Sequence, residues 1–123
     1  MTRGAAWRAA GDLLALLAFA VVGLLSHDRA VSLAGLARDF LPVAVGYGAA
    51  ALAFGAWRRP GLRALLPAWL VGVTAGVAVR AIALGRDPDG GQLAFLGVTL
   101  AATLVLLVAA RRIVAGLAAQ ADA

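Results

Sequence analysis

Residues 65–84, LLPAWLVGVTAGVAVRAIAL, form an apolar run that contains a single charged residue, Arg80. A run of about 18–20 residues is long enough to cross the roughly 30 Å hydrocarbon core of a bilayer as a helix. Backbone in lipid must satisfy its own hydrogen bonds, and a composition rich in alanine, leucine and valine favours helices. Three further runs approach or meet this length, at residues 9–25, 40–57 and 93–110. The sequence therefore predicts an all-α integral membrane protein, a bundle of four transmembrane helices in one membrane domain over residues 1–123.

The composition excludes several other classes of protein. Of the 123 residues, 63% are hydrophobic and 14% are charged, against about 25% charged residues in an ordinary soluble domain. A small water-soluble domain cannot bury so much apolar surface. The chain has no cysteine and one histidine, so disulfides, thiolate metal sites and multi-histidine metal sites are excluded. With no constellation of catalytic residues either, we expect no catalytic residue, metal or cofactor, and an enzyme is the least supported class.

The charged residues predict how the chain is oriented in the membrane. The formal net charge is +5, which on a soluble protein suggests nucleic acid as the partner. Here the arginines flank apolar runs, where basic residues set topology, so we expect the lipid bilayer and no nucleic acid as the partner. Seven of the eleven basic residues lie in the N-terminal tail, the second loop and the C-terminal tail. This bias predicts a multi-pass protein of the plasma (inner) membrane with both termini in the cytoplasm.

The two predicted outer loops differ in character. Residues 26–39 place apolar side chains at near-helical spacing after a charged pair, which is typical of either a short interfacial helix or a connector. Residues 85–92, GRDPDGGQ, contain Pro88 and the pair Gly90-Gly91, which predict a turn without regular structure.

The third run carries a face of small residues that ends in a charge. Gly72 and Gly76 form a GxxxG pair, Arg80 follows four residues later, and Gly46 lies within the second run. We expect these three glycines to let helix backbones approach closely, so that Arg80 points into the bundle. A guanidinium at the bilayer centre costs about 2.5–3.5 kcal/mol on insertion scales. Arg80 is therefore expected to contact a ligand, to pair with an anionic side chain or to snorkel to the interface, and the sequence leaves these alternatives open.

Three further residues are candidates for a polar site. Asp39 begins the second run and His27 follows the end of the first, so both could meet Arg80 in the outer half of the bundle. Asp12 lies near the other end of the first run, and a carboxylate within a membrane is a candidate functional group. Arg8 lies four residues before Asp12 on the same helix face, so a local ion pair between them is at least as well supported.

Aromatic and hydroxyl side chains are expected to have structural roles. Trp7, Trp57 and Trp69 lie near the ends of the predicted spans, as in an interfacial aromatic belt. Thr99 and Thr103 share a face of the fourth run, where threonines often bond to their own backbone.

Several short motifs in a fixed order resemble a known family. They are Gly11-Asp12, Gly23-Leu24-Leu25-Ser26-His27, Phe40-Leu41-Pro42 and Trp69…Gly72-Val73…Gly76…Arg80. In order and spacing the chain is similar, from about Gly11 to Arg112, to a family of small prokaryotic four-span membrane proteins of unknown function. The resemblance implies a four-helix membrane protein and supplies no activity. It implies characteristic positions at Asp12, His27, Pro42, Trp69 and Arg80.

Two functions from different classes fit these observations. The first is a transporter- or channel-like protein with a polar site in the outer half of the bundle. Because four short helices enclose little volume, its pathway would need a homo-oligomer, with a dimer interface built from the small-residue faces of the second and third spans. The second is a non-catalytic membrane subunit or scaffold, in a dimer or larger membrane complex, whose intramembrane charges only fix helix packing.

Overall fold

The computed structural model describes residues 2–26, 32–86 and 89–121. These residues form helices and no strand, and the helices are α1 (Arg3–Ser26), α2 (Leu33–Phe54), α3 (Leu62–Ala83) and α4 (Gly90–Ala121). All four are long and apolar enough to cross a membrane. The predicted all-α fold with four membrane helices is therefore confirmed.

The helices pack in a ring in which each contacts its neighbours in the chain, and α4 closes the ring against α1. Among the described residues, the backbones of the diagonal pairs α1–α3 and α2–α4 do not approach each other closely. Successive helices run antiparallel, so the first residues of α1, the α2–α3 connection and the last residues of α4 lie at one end. We call this the terminal end, and the end where α1 leads to α2 and α3 leads to α4 the opposite end.

The start of α2 differs from the prediction for the first outer loop. Ser32 caps the helix, because its hydroxyl accepts a hydrogen bond of 3.0 Å from the Gly35 amide. Such a cap satisfies one of the amides that a helix leaves unpaired at its N-terminus. Residues 33–39 are thus the first turns of α2 itself, so neither a separate interfacial helix nor an irregular connector occupies them.

The start of α4 also differs from the sequence prediction. The Asp89 carboxylate accepts a hydrogen bond of 3.0 Å from the Gln92 amide, in the manner of a helix N-cap. Gly90 and Gly91 are consequently helical, and the prediction that they break regular structure is wrong. At its other end α4 continues beyond the predicted span, through Arg111 to Ala121.

Three glycines bring the backbones of α2 and α3 together. A Cβ atom on Gly46 would lie 2.5 Å from the Gly72 carbonyl oxygen, and one on Gly76 would lie 2.6 Å from the Pro42 carbonyl oxygen. A Cβ atom on Gly72 would lie 2.6 Å from the Cα of Tyr47. These small-residue faces are therefore buried within one chain and are not free to form the dimer interface expected from the sequence.

Replacing Gly46 by alanine tests this contact. Gly46→Ala should lower the free energy of unfolding by about 1–3 kcal/mol, because the methyl group must push two backbones apart. Gly97→Ala is the matched control, since a Cβ there meets nothing within 4 Å. Titration with a denaturing detergent, followed by circular dichroism, measures both variants. Equal stability of Gly46→Ala and the wild type would contradict the close approach.

Candidate functional site

The carboxylate of Asp12 is fully buried and accepts four hydrogen bonds. The Arg111 guanidinium binds it at two points, with Nε 2.8 Å from Oδ1 and Nη2 2.8 Å from Oδ2. The Tyr47 hydroxyl donates to Oδ2 at 2.6 Å and the Trp57 indole nitrogen donates to it at 3.0 Å. We call these four residues the Asp12 cluster. It joins α1, α2, α4 and the turn after α2 at the terminal end.

The turn after α2 places Trp57 within reach of Asp12. Gly55 ends the helix with a φ of 73°, a left-handed conformation that other residues rarely adopt, and its amide donates to the Ala51 carbonyl. The chain then turns back, so that the Trp57 ring packs edge-on against Tyr47 with centroids 6.5 Å apart. Arg111 Nη2 also donates to the Ala56 carbonyl at 2.9 Å, which fixes the turn against α4.

Arg8 does not pair with Asp12. Its Nε donates to the Trp57 carbonyl at 2.7 Å and its Nη2 donates to the Arg58 carbonyl at 3.3 Å. The predicted local ion pair between Arg8 and Asp12 is therefore wrong. Carbonyl oxygens after a helix C-terminus attract a cation, while Asp12, deeper in the bundle, is neutralised by Arg111 of the adjacent helix α4.

A second charged cluster, the Arg80 cluster, lies near the opposite end and consists of Arg38, Asp39, Arg80 and Phe95. Arg80 Nε and Nη2 donate to Asp39 Oδ1 at 3.1 and 3.0 Å, and Arg38 Nε donates to the same oxygen at 3.1 Å. The Arg80 guanidinium carbon also lies 4.6 Å from the centre of the Phe95 ring, within the range of a cation–π contact. Two guanidinium groups share one carboxylate, so this cluster has one surplus positive charge.

The structure brings only some of the candidate site residues together. Arg80 and Asp39 form an ion pair, whereas Asp12 lies near the other end of the bundle with different partners. His27 lies outside the described residues. Within residues 2–26, 32–86 and 89–121, no group of three histidine, cysteine or acidic side chains could hold a metal ion.

Three residues of the Asp12 cluster were missed by the sequence analysis as parts of a site. Arg111 counted only toward topology, although it directly follows the fourth apolar run and so lies at a depth similar to that of Asp12. Trp57 was assigned to the interfacial belt, yet its side chain is buried and bonded. Tyr47 directly follows Gly46, and nothing in the sequence around it predicts a partner for its hydroxyl. The pairing of Asp12 with Arg111 could have been predicted from one feature of the sequence, because the two residues lie at a similar depth in antiparallel helices.

The Thr103 hydroxyl and the Trp69 indole are bonded within the bundle, whereas the buried Thr99 hydroxyl has no hydrogen-bond partner among the described residues. The Thr103 hydroxyl donates to the Thr99 carbonyl at 2.6 Å, so the predicted bond to the helix's own backbone is confirmed for Thr103 and not for Thr99. The Trp69 indole nitrogen donates across to the Leu100 carbonyl at 3.0 Å. Both contacts are structural and form no polar path.

A cavity of about 610 Å³ lies between α1 and α4, and we call it the α1–α4 groove. Its walls are mostly apolar, and Asp39 of the Arg80 cluster lies among its lining residues. Phe95 both lines this groove and stacks under Arg80. The groove therefore adjoins the cluster that has the surplus positive charge.

The sequence matches the family model DUF3054, described as a protein of unknown function, over residues 9–114. The chain belongs to this family. The matched region covers most of the chain, which confirms the predicted resemblance to a family of unknown function. Both charged clusters fall within the region that matches DUF3054. No curated protein and no solved structure matches the sequence.

A double-mutant cycle tests the central pair of the Asp12 cluster. Asp12→Asn or Arg111→Gln alone should lower the free energy of unfolding by about 3–5 kcal/mol, since each leaves a buried charge without its partner. The two changes together should cost less than the sum of the single changes.

Arg112→Gln is the control for that cycle, because the neighbouring arginine is exposed. This variant should stay within about 0.5 kcal/mol of the wild type. Denaturing-detergent titration of the purified proteins measures the stabilities of the wild type, the two single variants, the double variant and the control. Strictly additive losses in the cycle would contradict the buried pair.

Proposed function

We propose that this DUF3054 protein is a non-catalytic membrane subunit or scaffold whose intramembrane charges fix the packing of its helices. The observation that carries the proposal is the Asp12 carboxylate, which is fully buried and held by donors from Tyr47, Trp57 and Arg111. A group that exchanges a bound ion or proton needs access to water. The Asp12 carboxylate has no exposed surface in the part of the chain that the structure describes.

Electrostatics supports a fixed role for the Asp12–Arg111 pair. Removing either ion from water costs several kcal/mol, and only close geometry with further hydrogen bonds compensates for that cost. Here the pair is bidentate at 2.8 Å, and the remaining donors to the carboxylate are neutral. Separating the pair during a transport cycle would leave both charges unpaired in a low-dielectric interior. This cost favours a structural role for the pair over a role in transport.

A subunit of this kind acts through assembly with other membrane helices. Large apolar side chains such as Ile82, Leu93 and Val105 are more than two-thirds exposed and face lipid or partners within a membrane. We propose a homodimer or a larger membrane complex as the functional unit. Because the faces of α2 and α3 that carry glycines are occupied, the partner would bind other faces of the bundle.

One observation favours a second candidate, a transporter- or channel-like function. The Arg80–Asp39 pair is less sealed than the Asp12 cluster, with 10% and 17% of its side-chain surfaces exposed. Asp39 also lies in the wall of the α1–α4 groove. An anion that replaced the carboxylate at Arg80 would use this opening.

Substitutions at Arg80 and Asp39 distinguish the two functions. For a scaffold, Arg80→Ala and Asp39→Asn should each lower the free energy of unfolding. The loss in the double variant should be about 0.5–3 kcal/mol smaller than the sum of the two single losses. Liposomes that contain the wild-type protein should pass chloride no faster than empty liposomes.

The opposite result would support transport. A chloride flux that disappears in Arg80→Ala, while the unfolding temperature of that variant stays unchanged, would contradict a scaffold role. Arg86→Ala serves as the control, because Arg86 lies beyond α3 and is exposed.

We further propose that the chain resides in the plasma membrane with both termini in the cytoplasm. Support comes from the positive-inside bias together with the grouping of Arg8, Arg58 and Arg111 at the terminal end.

Single cysteines in this cysteine-free chain test the orientation. Leu33→Cys at the opposite end should react with a membrane-impermeant maleimide in intact cells. Gln120→Cys at the terminal end should react only after permeabilisation. Both sites are exposed, and neither side chain caps a helix. The reverse labelling pattern would overturn the proposed topology, and the unmodified protein is the control for background labelling.

A further inference from the structure

The α1–α4 groove is an apolar slot with a charged end. Its walls include Phe19 and Ala20 of α1 and Val98, Ala102 and Leu106 of α4. Asp39 is the charged residue among those that line it. Because the groove is apolar along α1 and α4, an occupant must be apolar over most of its length. Because the groove is charged at one end, the occupant must be polar at that end.

The charge at that end selects the sign of the polar group. Arg38 and Arg80 both donate to Asp39, so the described triad has a surplus charge of +1. The Arg38 side chain is 35% exposed, which leaves its guanidinium open to a further acceptor. An anionic head group would neutralise the surplus, whereas a partner helix with an apolar face would leave it uncompensated.

The length of the groove matches one leaflet of a bilayer. Phe95 and Leu106 both line it and lie eleven positions apart on α4, which corresponds to about 16.5 Å at 1.5 Å per residue. Half of a hydrocarbon core of roughly 30 Å is about 15 Å. An extended acyl segment of that length would therefore lie along the groove from the level of Arg80 and Phe95 to Leu106.

We propose that the α1–α4 groove binds one anionic phospholipid, with its phosphate at Arg38 and Arg80 and an acyl chain between α1 and α4. A zwitterionic lipid would bring a cation of its own to a site that is already positive, and would bind less tightly. The site does not depend on whether the protein is a scaffold or a transporter.

Gly23 offers a way to close the groove without disturbing the core. It lines the groove, and a Cβ atom built on it would meet nothing within 4 Å. A large side chain at this position of α1 would occupy the space that the acyl chain needs. Gly97 of α4 has equally open surroundings but does not line the groove, so it provides the matched control.

Native mass spectrometry of the full chain in detergent tests the proposal, with dioleoyl phosphatidylglycerol, dioleoyl phosphatidylcholine and oleate as probes. The wild type should retain one phosphatidylglycerol per chain and prefer it to phosphatidylcholine about fivefold, the factor expected for one arginine at about 1 kcal/mol. Gly23→Trp should lose the bound lipid, and Gly97→Trp should keep it.

A second pair of variants tests the charge without altering the groove. Arg38→Gln should abolish the fivefold preference, and Arg86→Gln, which makes the same change in net charge, should retain it. Because Arg38 is partly exposed, this variant keeps the proposal testable if Gly23→Trp does not fold.

Four results would overturn the proposal. Three of them are equal retention of the two phospholipids by the wild type, unchanged retention by a folded Gly23→Trp variant, and the same preference in Arg38→Gln and Arg86→Gln. The fourth is retention of oleate in place of phosphatidylglycerol, since the occupant would then be a free fatty acid.

Discussion

A single buried carboxylate constrains the arrangement of the whole bundle. Asp12 has no exposed surface and bonds to side chains from α2, α4 and the turn after α2. In a low-dielectric interior a carboxylate without its partner costs about 3–5 kcal/mol, a large fraction of the stability of a small protein. Any arrangement of helices that separated Asp12 from Arg111 would therefore be strongly disfavoured. The pair consequently fixes the register of the first helix against the last.

The two antiparallel pairs of helices are held together by different forces. In α2–α3, glycines allow backbone to contact backbone, so the association depends on van der Waals packing. In α1–α4, the helices are close at the terminal end, where a Cβ on Gly11 would lie 3.0 Å from Val114. They leave open space around Gly23 at the other end. The α1–α4 groove exists because charge pairing fastens only one end of this helix pair.

The candidate site was only partly predictable from residue spacing. Arg80 and Asp39 could be placed at one end, because each lies near the same boundary of its apolar run. The partner of Asp12 could not be chosen with the same rule. Arg8 on the same helix face and Arg111 on another helix were both near the right depth, and a one-dimensional pattern favours the local partner. Arg8 instead donates to carbonyl groups beyond the end of α2.

The sequence by itself determined that the chain is a membrane protein, how many helices it has and which face of α3 packs closely. These features follow from the length of apolar runs and from helical periodicity, which are local properties. Only the tertiary structure decided that Arg111, Tyr47 and Trp57 surround Asp12, and that α2 begins at Leu33 and α4 at Gly90. Which charges pair depends on the rotation of each helix about its axis. That rotation is set by contacts between helices distant in sequence.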